Sequence, residues 1–320
     1  MLLPGAAAAE ETPLAQAKGA FEKGEYTRAI EILKRATASE PNNGDLYVLL
    51  ARSYLELNQY DAAANSAEKA VASNPKNSEY HRWLGEAYGA KADHASMLSA
   101  YSLARKTQKE FDAAVELDAN NFDAQQDLIQ YDCAAPGMVG GGEEKALPLI
   151  EKLMKLDAAE GHYAAGNCRA QKKDYAQADS EFAEALLKKP KTAKRIYDMG
   201  DYFLRRKSGL ALIGIADAGE QLAPQDPRGK FYRGVGLVLL QQDNRSVMSQ
   251  PDPEKLLREY LQLAPMNSEY PRPWEAHYWL GKLLENQKNP TAARSEYQAA
   301  LKLNGKYKPA QDRLKQLGHD

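Results

Sequence analysis

A pattern with a 34-residue period, held over the first three copies and again between residues 159 and 227, limits what this chain can fold into. GEYTRAIEILKRATASEPNN (24–43) has a counterpart in QYDAAANSAEKAVASNPKNS (59–78), a third in KDYAQADSEFAEALLKKPKT (173–192) and a fourth in KNPTAARSEYQAALKLNGKY (288–307). Each carries three small or apolar residues at offsets of four and then three: Ala29, Leu33, Ala36; Ala63, Ala67, Ala70; Ala178, Phe182, Ala185; and Ala293, Tyr297, Ala300. Those offsets place each trio on one face of an α-helix. Pro41, Pro75 and Pro190 follow just past the expected helix end and block its continuation; the last copy has Gly305 there instead. A second helix precedes each copy, with its own small residue: Ala17, Ala51, Gly166 and Gly281, and Gly85, Gly200 and Gly234 in further copies. Glycine inside a helix costs about 0.8–1 kcal/mol against alanine, so its recurrence calls for a packing reason. Close approach of two antiparallel helices supplies it.

Frames starting near Glu10, Gly44, Ser78, Asn121, Ala159, Ala193, Pro227 and Trp274 organise most of the chain. The punctuation in WLGEAYGA (83–90), YWLGKLLE (278–285) and KDYAQADSEFAEALLKKP (173–190) resembles the tetratricopeptide repeat over essentially residues 10 to 317. The resemblance implies an all-α fold: a right-handed superhelical solenoid of antiparallel helix pairs, with about eight repeats and a C-terminal capping helix near 306–317. One elongated domain over 10–317 is expected, because each pair buries its apolar side only against its neighbours. Longer insertions fall near 89–100, 134–142, 241–253 and 265–273, and repeat families often place such loops near the binding face.

In this family the first helix of each pair lines the concave side. The fifth place of the readable frames holds Val48, Arg82, Tyr163, Tyr197, Phe231 and Tyr278, and the ninth holds Arg52, Glu86, Asn167, Asp201, Val235 and Lys282. The N-terminal repeats thus offer charge, while Tyr163, Tyr197, Phe231 and Tyr278 offer aromatic rings to a peptide or protein partner. Packing of those rings between helices is the competing reading. Arg52, Arg82, Glu86, Tyr163, Asn167, Tyr197, Asp201, Phe231, Tyr278 and Lys282 are the candidate partner-binding residues. Some members of the family grip a C-terminal carboxylate with Lys and Asn at the fifth and ninth places of one repeat; these pairs do not repeat that arrangement.

No cofactor or metal site is expected. His81, His162 and His277 share the fourth place of separate repeats, which reads as repeated structural substitution, and no compact ligand spacing such as HExxH occurs. APGMVGGGEEKA (135–146) lacks the GK[ST] ending of a phosphate loop and reads as a structured turn. Cys133 and Cys168 lie in neighbouring repeats, where stacking brings them near each other, but their frame places differ and two inert thiols are expected. Asn244-Arg245-Ser246 is a glycosylation sequon by pattern only. With 42 basic against 44 acidic side chains, nothing attracts nucleic acid in general, and no transmembrane run is present. The function expected is a non-catalytic protein-interaction scaffold, with an exported, envelope-associated assembly factor or lipoprotein-like adaptor as the alternative and an enzyme with a site not visible in the sequence as the remote one. Residues 1–9 (MLLPGAAAA) read as an unstructured tail or as the remnant of a signal segment. The first reading leaves the chain cytoplasmic; the second makes it periplasmic or secreted.

Overall fold

The computed structural model describes residues 12–243 and 251–318. The expectations for residues 1–9 and for the sequon at Asn244 lie outside the described residues, as does most of the insertion at 241–253. Eight helix pairs follow one another: α1 (Pro13–Glu22) with α2 (Tyr26–Ser39), α3 (Gly44–Glu56) with α4 (Tyr60–Ser73), α5 (Ser78–Ala92) with α6 (Met97–Leu117), and α7 (Phe122–Ala134) with α8 (Glu143–Leu156). Then come α9 (Ala158–Gln171) with α10 (Tyr175–Leu187), α11 (Ala193–Arg205) with α12 (Gly209–Leu222), α13 (Arg228–Gln242) with α14 (Pro253–Leu263), and α15 (Pro273–Asn286) with α16 (Pro290–Leu303). A final helix, α17 (Lys308–Gln316), packs on α16 as the cap. The fold is an all-α repeat of helix pairs, with no strand among the described residues. The chain groups into two compact units, one through Asp179 and one from Ser180, so the boundary falls inside α10.

The repeating trios form the core as their spacing dictates. Leu33, Ala67, Phe182 and Tyr297, the middle residue of each, are all 0% exposed. The small residues of the front helices sit where neighbours press closest. A methyl group on Gly85 would lie 2.5 Å from the Phe111 ring of α6, and one on Gly200 would lie 2.7 Å from the Tyr232 ring of α13. Real Cβ atoms do not approach so closely, so glycine is required there.

Front helices begin on short polar caps. Asn77, Asn121 and Thr192 accept hydrogen bonds from the backbone N–H of Tyr80, Ala124 and Arg195 respectively, which holds each repeat boundary in place. Between front and back helix the chain turns through a left-handed residue at the fifteenth place of five frames: Gly24, Asn58, Lys173, Lys207 and Lys288, with φ between 53° and 72°. The following N–H reaches back five residues, as Ser208 does to the Phe203 carbonyl at 3.0 Å, and satisfies an otherwise open helix end.

The structure corrects the expectation of two inert thiols. Cys133 and Cys168 form a disulfide between α7 and α9, with 5.4 Å between their Cα atoms. The frame starts inferred from sequence separate their places by three, but α7 begins one residue later and α9 one earlier than those starts. Counted from the observed helix starts, Cys133 is twelfth and Cys168 eleventh, so neighbouring front helices present them side by side.

Candidate functional site

In the first unit, three front helices set out a row of charge. Arg52 of α3 lies over the Trp83 ring at 4.8 Å and over the Phe21 ring at 5.0 Å. Arg82 of α5 lies over the same indole at 4.6 Å from its centroid, so both guanidiniums are organised by Trp83. Such planar cations stack on aromatic faces at low entropic cost. Arg82 also donates to Glu79 at 3.0 Å and, across to α7, to Asp127 at 2.9 Å. Burial alone would lower the Arg82 pKa; the Asp127 and Glu79 carboxylates override it and hold the guanidinium more firmly charged. Burial pushes Asp127 upward, against the pull of Arg82, and the Glu86 carboxyl shares a hydrogen bond with it. Arg52, Arg82 and Glu86 are all half-buried.

The aromatic candidates divide. Tyr197 and Phe231 are 1% and 0% exposed, and Tyr163 is 9% exposed. Those rings are core, and the groove-facing expectation is corrected for these three. Tyr197 stacks on Tyr232 at 5.7 Å between centroids and carries the Arg228 guanidinium on its ring at 4.7 Å. Phe231 lies 5.0 Å from the Tyr260 ring of α14. The fifth place here faces the neighbouring helix, and packing wins because successive rings interlock. Tyr278 is half-buried, 5.8 Å from both Tyr297 and Tyr307.

Polar neighbours in the second unit remain reachable. Asp201 is exposed and accepts a 2.6 Å hydrogen bond from the Tyr232 hydroxyl. Loss of solvation around the carboxyl, together with the nearby Asp198, pushes it above the usual range despite that bond. Lys282, half-buried, sits 3.5 Å from Glu285. Burial and the nearby Arg313 lower its pKa. Asn167 in the first unit is half-buried. The structure therefore brings Arg52, Arg82 and Glu86 together around Trp83 and Asp127, and links Tyr197 to Asp201 through Tyr232.

Sequence reasoning missed Asp127, Trp83 and Tyr232. They stand outside the fifth and ninth places: Trp83 and Tyr232 are sixth in their frames and Asp127 is seventh. The histidines hold structure. His81 Nδ1 meets Glu110 at 2.6 Å and His277 Nδ1 meets Glu296 at 2.7 Å, each tying a front helix to the back helix behind it. No group of three or more His, Cys, Asp or Glu can hold a metal ion among the described residues, and no helix among them is long and apolar enough to cross a membrane. The glycine-rich segment is a turn: Gly137–Val139 forms a single 3-10 turn, and Gly140 and Gly142 adopt φ of 104° and 143°.

Two stretches match family models described as tetratricopeptide repeat, residues 20–87 and 274–307. No curated protein matches the sequence. Among solved structures, yeast Tom70 aligns over 100% of this chain and 66% of its own, at 13% identity and a TM-score of 0.61, a likeness of fold. TTC0263, a thermophilic TPR protein from Thermus thermophilus, is 19% identical over 60% of this chain and 97% of its own, with a TM-score of 0.47. YrrB, described as a TPR protein with an unusual peptide-binding site, is 16% identical over 79% of this chain and 100% of its own, with a TM-score of 0.37.

Proposed function

Because the chain belongs to the tetratricopeptide repeat family, we propose that it is a non-catalytic scaffold binding a peptide segment or partner protein along its front helices. The observation that carries this reading is that, within each unit by itself, polar and aromatic side chains of the front helices stay partly exposed among buried neighbours. Arg52, Arg82, Glu86 and Asn167 belong to the first unit, and Asp201, Tyr278 and Lys282 to the second. Arginine and tyrosine are among the types that contribute most at interfaces: tyrosine offers large contact area for few rotatable bonds, and arginine a planar head that stacks and donates several hydrogen bonds.

Photo-crosslinking from these positions in the native organism tests the reading. A photoreactive residue at 52, 86, 167 or 282 is expected to trap one recurring partner, and one at exposed back-helix positions such as Lys69 or Lys302 is not. Equal yields from both faces would refute the scaffold reading.

One observation favours the exported form of this function. The Cys133–Cys168 disulfide joins two front helices, and structural disulfides persist in oxidising compartments. Acid-quenched native cells, alkylated before lysis, are expected to yield protein with both cysteines protected. Full alkylation of both would place the protein in a reducing compartment.

A further inference from the structure

Two inserted segments, about forty residues apart in sequence, converge on one place. A cleft of about 520 Å³ opens in the first unit between α5, α6, α7 and the loop after α7. Gly89, Ala90, Ala92 and Asp93 line one side and belong to the insertion near 89–100, while Ala134, Ala135, Pro136 and Val139 line another and belong to the insertion near 134–142. The loop is pinned from both sides: the Tyr131 hydroxyl bonds the Ala104 and Val139 carbonyls at 2.8 Å, and Gln108 donates to the Gly140 carbonyl at 2.8 Å.

The chemistry of the lining is one-sided. Glu86, Asp93 and Asp127 contribute carboxylates, and no Lys, Arg or His lines the cleft among the described residues. Arg82 pairs with Asp127 but divides its guanidinium between Asp127 and Glu79. A second observation points to an occupant. Thr107 is 3% exposed and lines the cleft, and its Oγ1 has no hydrogen-bond partner. Buried hydroxyls in folded proteins are satisfied almost without exception, so an unbonded one beside an open space marks where a polar group belongs. Phe111, Ala90 and Ala104 supply apolar surface next to the carboxylates. Long basic side chains need both: an apolar wall for the methylene stem and anionic acceptors for the head.

We propose that this cleft receives a lysine or arginine side chain from an extended segment of a partner protein, its stem along Phe111, Ala90 and Ala104 and its head among Glu86, Asp127 and the Thr107 hydroxyl. The proposal rests on the scaffold reading and names the chemistry of the partner. The same inserted segments leave Met97, Leu98 and Met138 88%, 87% and 71% exposed, apolar surface for residues flanking the basic one.

The probes are capped, fluorescently labelled nonapeptides of alanine and serine whose central residue is Lys, Arg, norleucine or Glu, titrated into the full chain by anisotropy. The Lys or Arg peptide is expected to bind at least about tenfold tighter than the norleucine and Glu peptides. Gly89→Leu fills the cleft, and its Cβ would sit 3.6 Å from the Thr107 methyl, an ordinary contact that the helix accommodates. It is expected to weaken the basic peptide at least about fivefold with the helical spectrum unchanged, while Lys302→Ala on the exposed face of α16 leaves affinity within about twofold. Asp127→Asn is expected to weaken it to a similar extent, and Gly89→Leu decides the matter if that variant fails to fold. Norleucine binding as tightly as lysine, or lysine binding indifferent to Gly89→Leu, would overturn the proposal. Basic peptides that bind only through Tyr278 and Lys282 would overturn it too and leave the scaffold reading intact. A panel without any binder overturns the cleft assignment, whereas the scaffold reading falls only with the crosslinking result.

Discussion

The third and fourth repeats and the sixth and seventh solve the same packing problem in opposite ways. In each case two successive front helices lie side by side, α5 with α7 and α11 with α13. Between α11 and α13 the space is filled by rings: Tyr232 stacks on Tyr197, presses against Gly200 and sends its hydroxyl to Asp201. Between α5 and α7 the link is the Arg82–Asp127 ion pair, and an open cleft remains beside it. Filled space returns dispersion and hydrophobic energy to the fold, and open polar space does not. The sixth and seventh repeats commit these ring positions to stability; the third and fourth leave room for something from outside.

The largest effect expected from this contrast is at Phe231. Its ring is 0% exposed and meets Tyr232 and Tyr260, so Phe231→Ala is expected to cost about 3–5 kcal/mol in denaturant unfolding. Thr107→Val is the matching change in the cleft. It removes a hydroxyl that has no partner, and stability is expected to hold within about 0.5 kcal/mol or rise slightly. Similar losses from both would break the comparison, because they would mean the cleft is packed as tightly as the ring stack.

The disulfide comes next. It closes a separation of 35 residues within the first unit, and replacing both cysteines by alanine is expected to cost that unit about 2–4 kcal/mol. Limited proteolysis reads the effect by region: cleavage between 122 and 171 is expected to accelerate, with the ring-filled repeats unchanged. Uniform acceleration through both units would show that they do not unfold separately.

What the sequence made legible follows from the range of the forces involved. Leu33, Ala67, Phe182 and Tyr297 are all buried because offsets of four and three fix a helix face without reference to the rest of the chain. The eight pairs and the cap are local patterns of that kind. Tyr197 and Phe231 were ambiguous because a fifth-place residue faces either the open side or the next front helix, and a small rotation of the helix decides which. The cleft was invisible for another reason. Gly89 and Val139 meet only because α6 is lengthened and the loop after α7 folds back onto it. Insertions marked the place, but no spacing rule says that two of them share a wall.

A smaller effect separates the regions by pH. Asp132 of α7 is 2% exposed, and burial together with the nearby Asp112 pushes its carboxyl up to about 6, against the pull of Lys145. An acid with a raised pKa in the folded state binds its proton more tightly there than when unfolded. Folding is therefore unpenalised below about pH 4, loses stability as pH rises toward about 6, and carries the full penalty above it. Asp132→Asn is expected to stabilise the first unit by about 2 kcal/mol at pH 7.5 and to change nothing at pH 4. A gain of equal size at both pH values would assign the effect to packing rather than charge.

The smallest effect sharpens the contrast between regular and inserted repeats. Lys207 holds a left-handed φ of 53°, where a side chain is disfavoured by about 1–2 kcal/mol and glycine is not. Glycine also gains freedom in the unfolded chain, which cancels part of that relief. Lys207→Gly is accordingly expected to add about 0.5 kcal/mol, and Gly24→Ala, the reverse change at the same place of the first repeat with φ of 72°, to remove about 1 kcal/mol. The inserted third repeat has no such residue: α5 ends on Asp93 at φ −61°, a right-handed conformation that glycine does not favour. Asp93→Gly is therefore expected to lose a few tenths of a kcal/mol where Lys207→Gly gains. The opposite signs follow from backbone geometry alone. If Asp93→Gly stabilised as Lys207→Gly does, the third repeat would close with the regular turn in solution, and the wall of the cleft that begins at Gly89 would not stand where the lengthened α6 puts it.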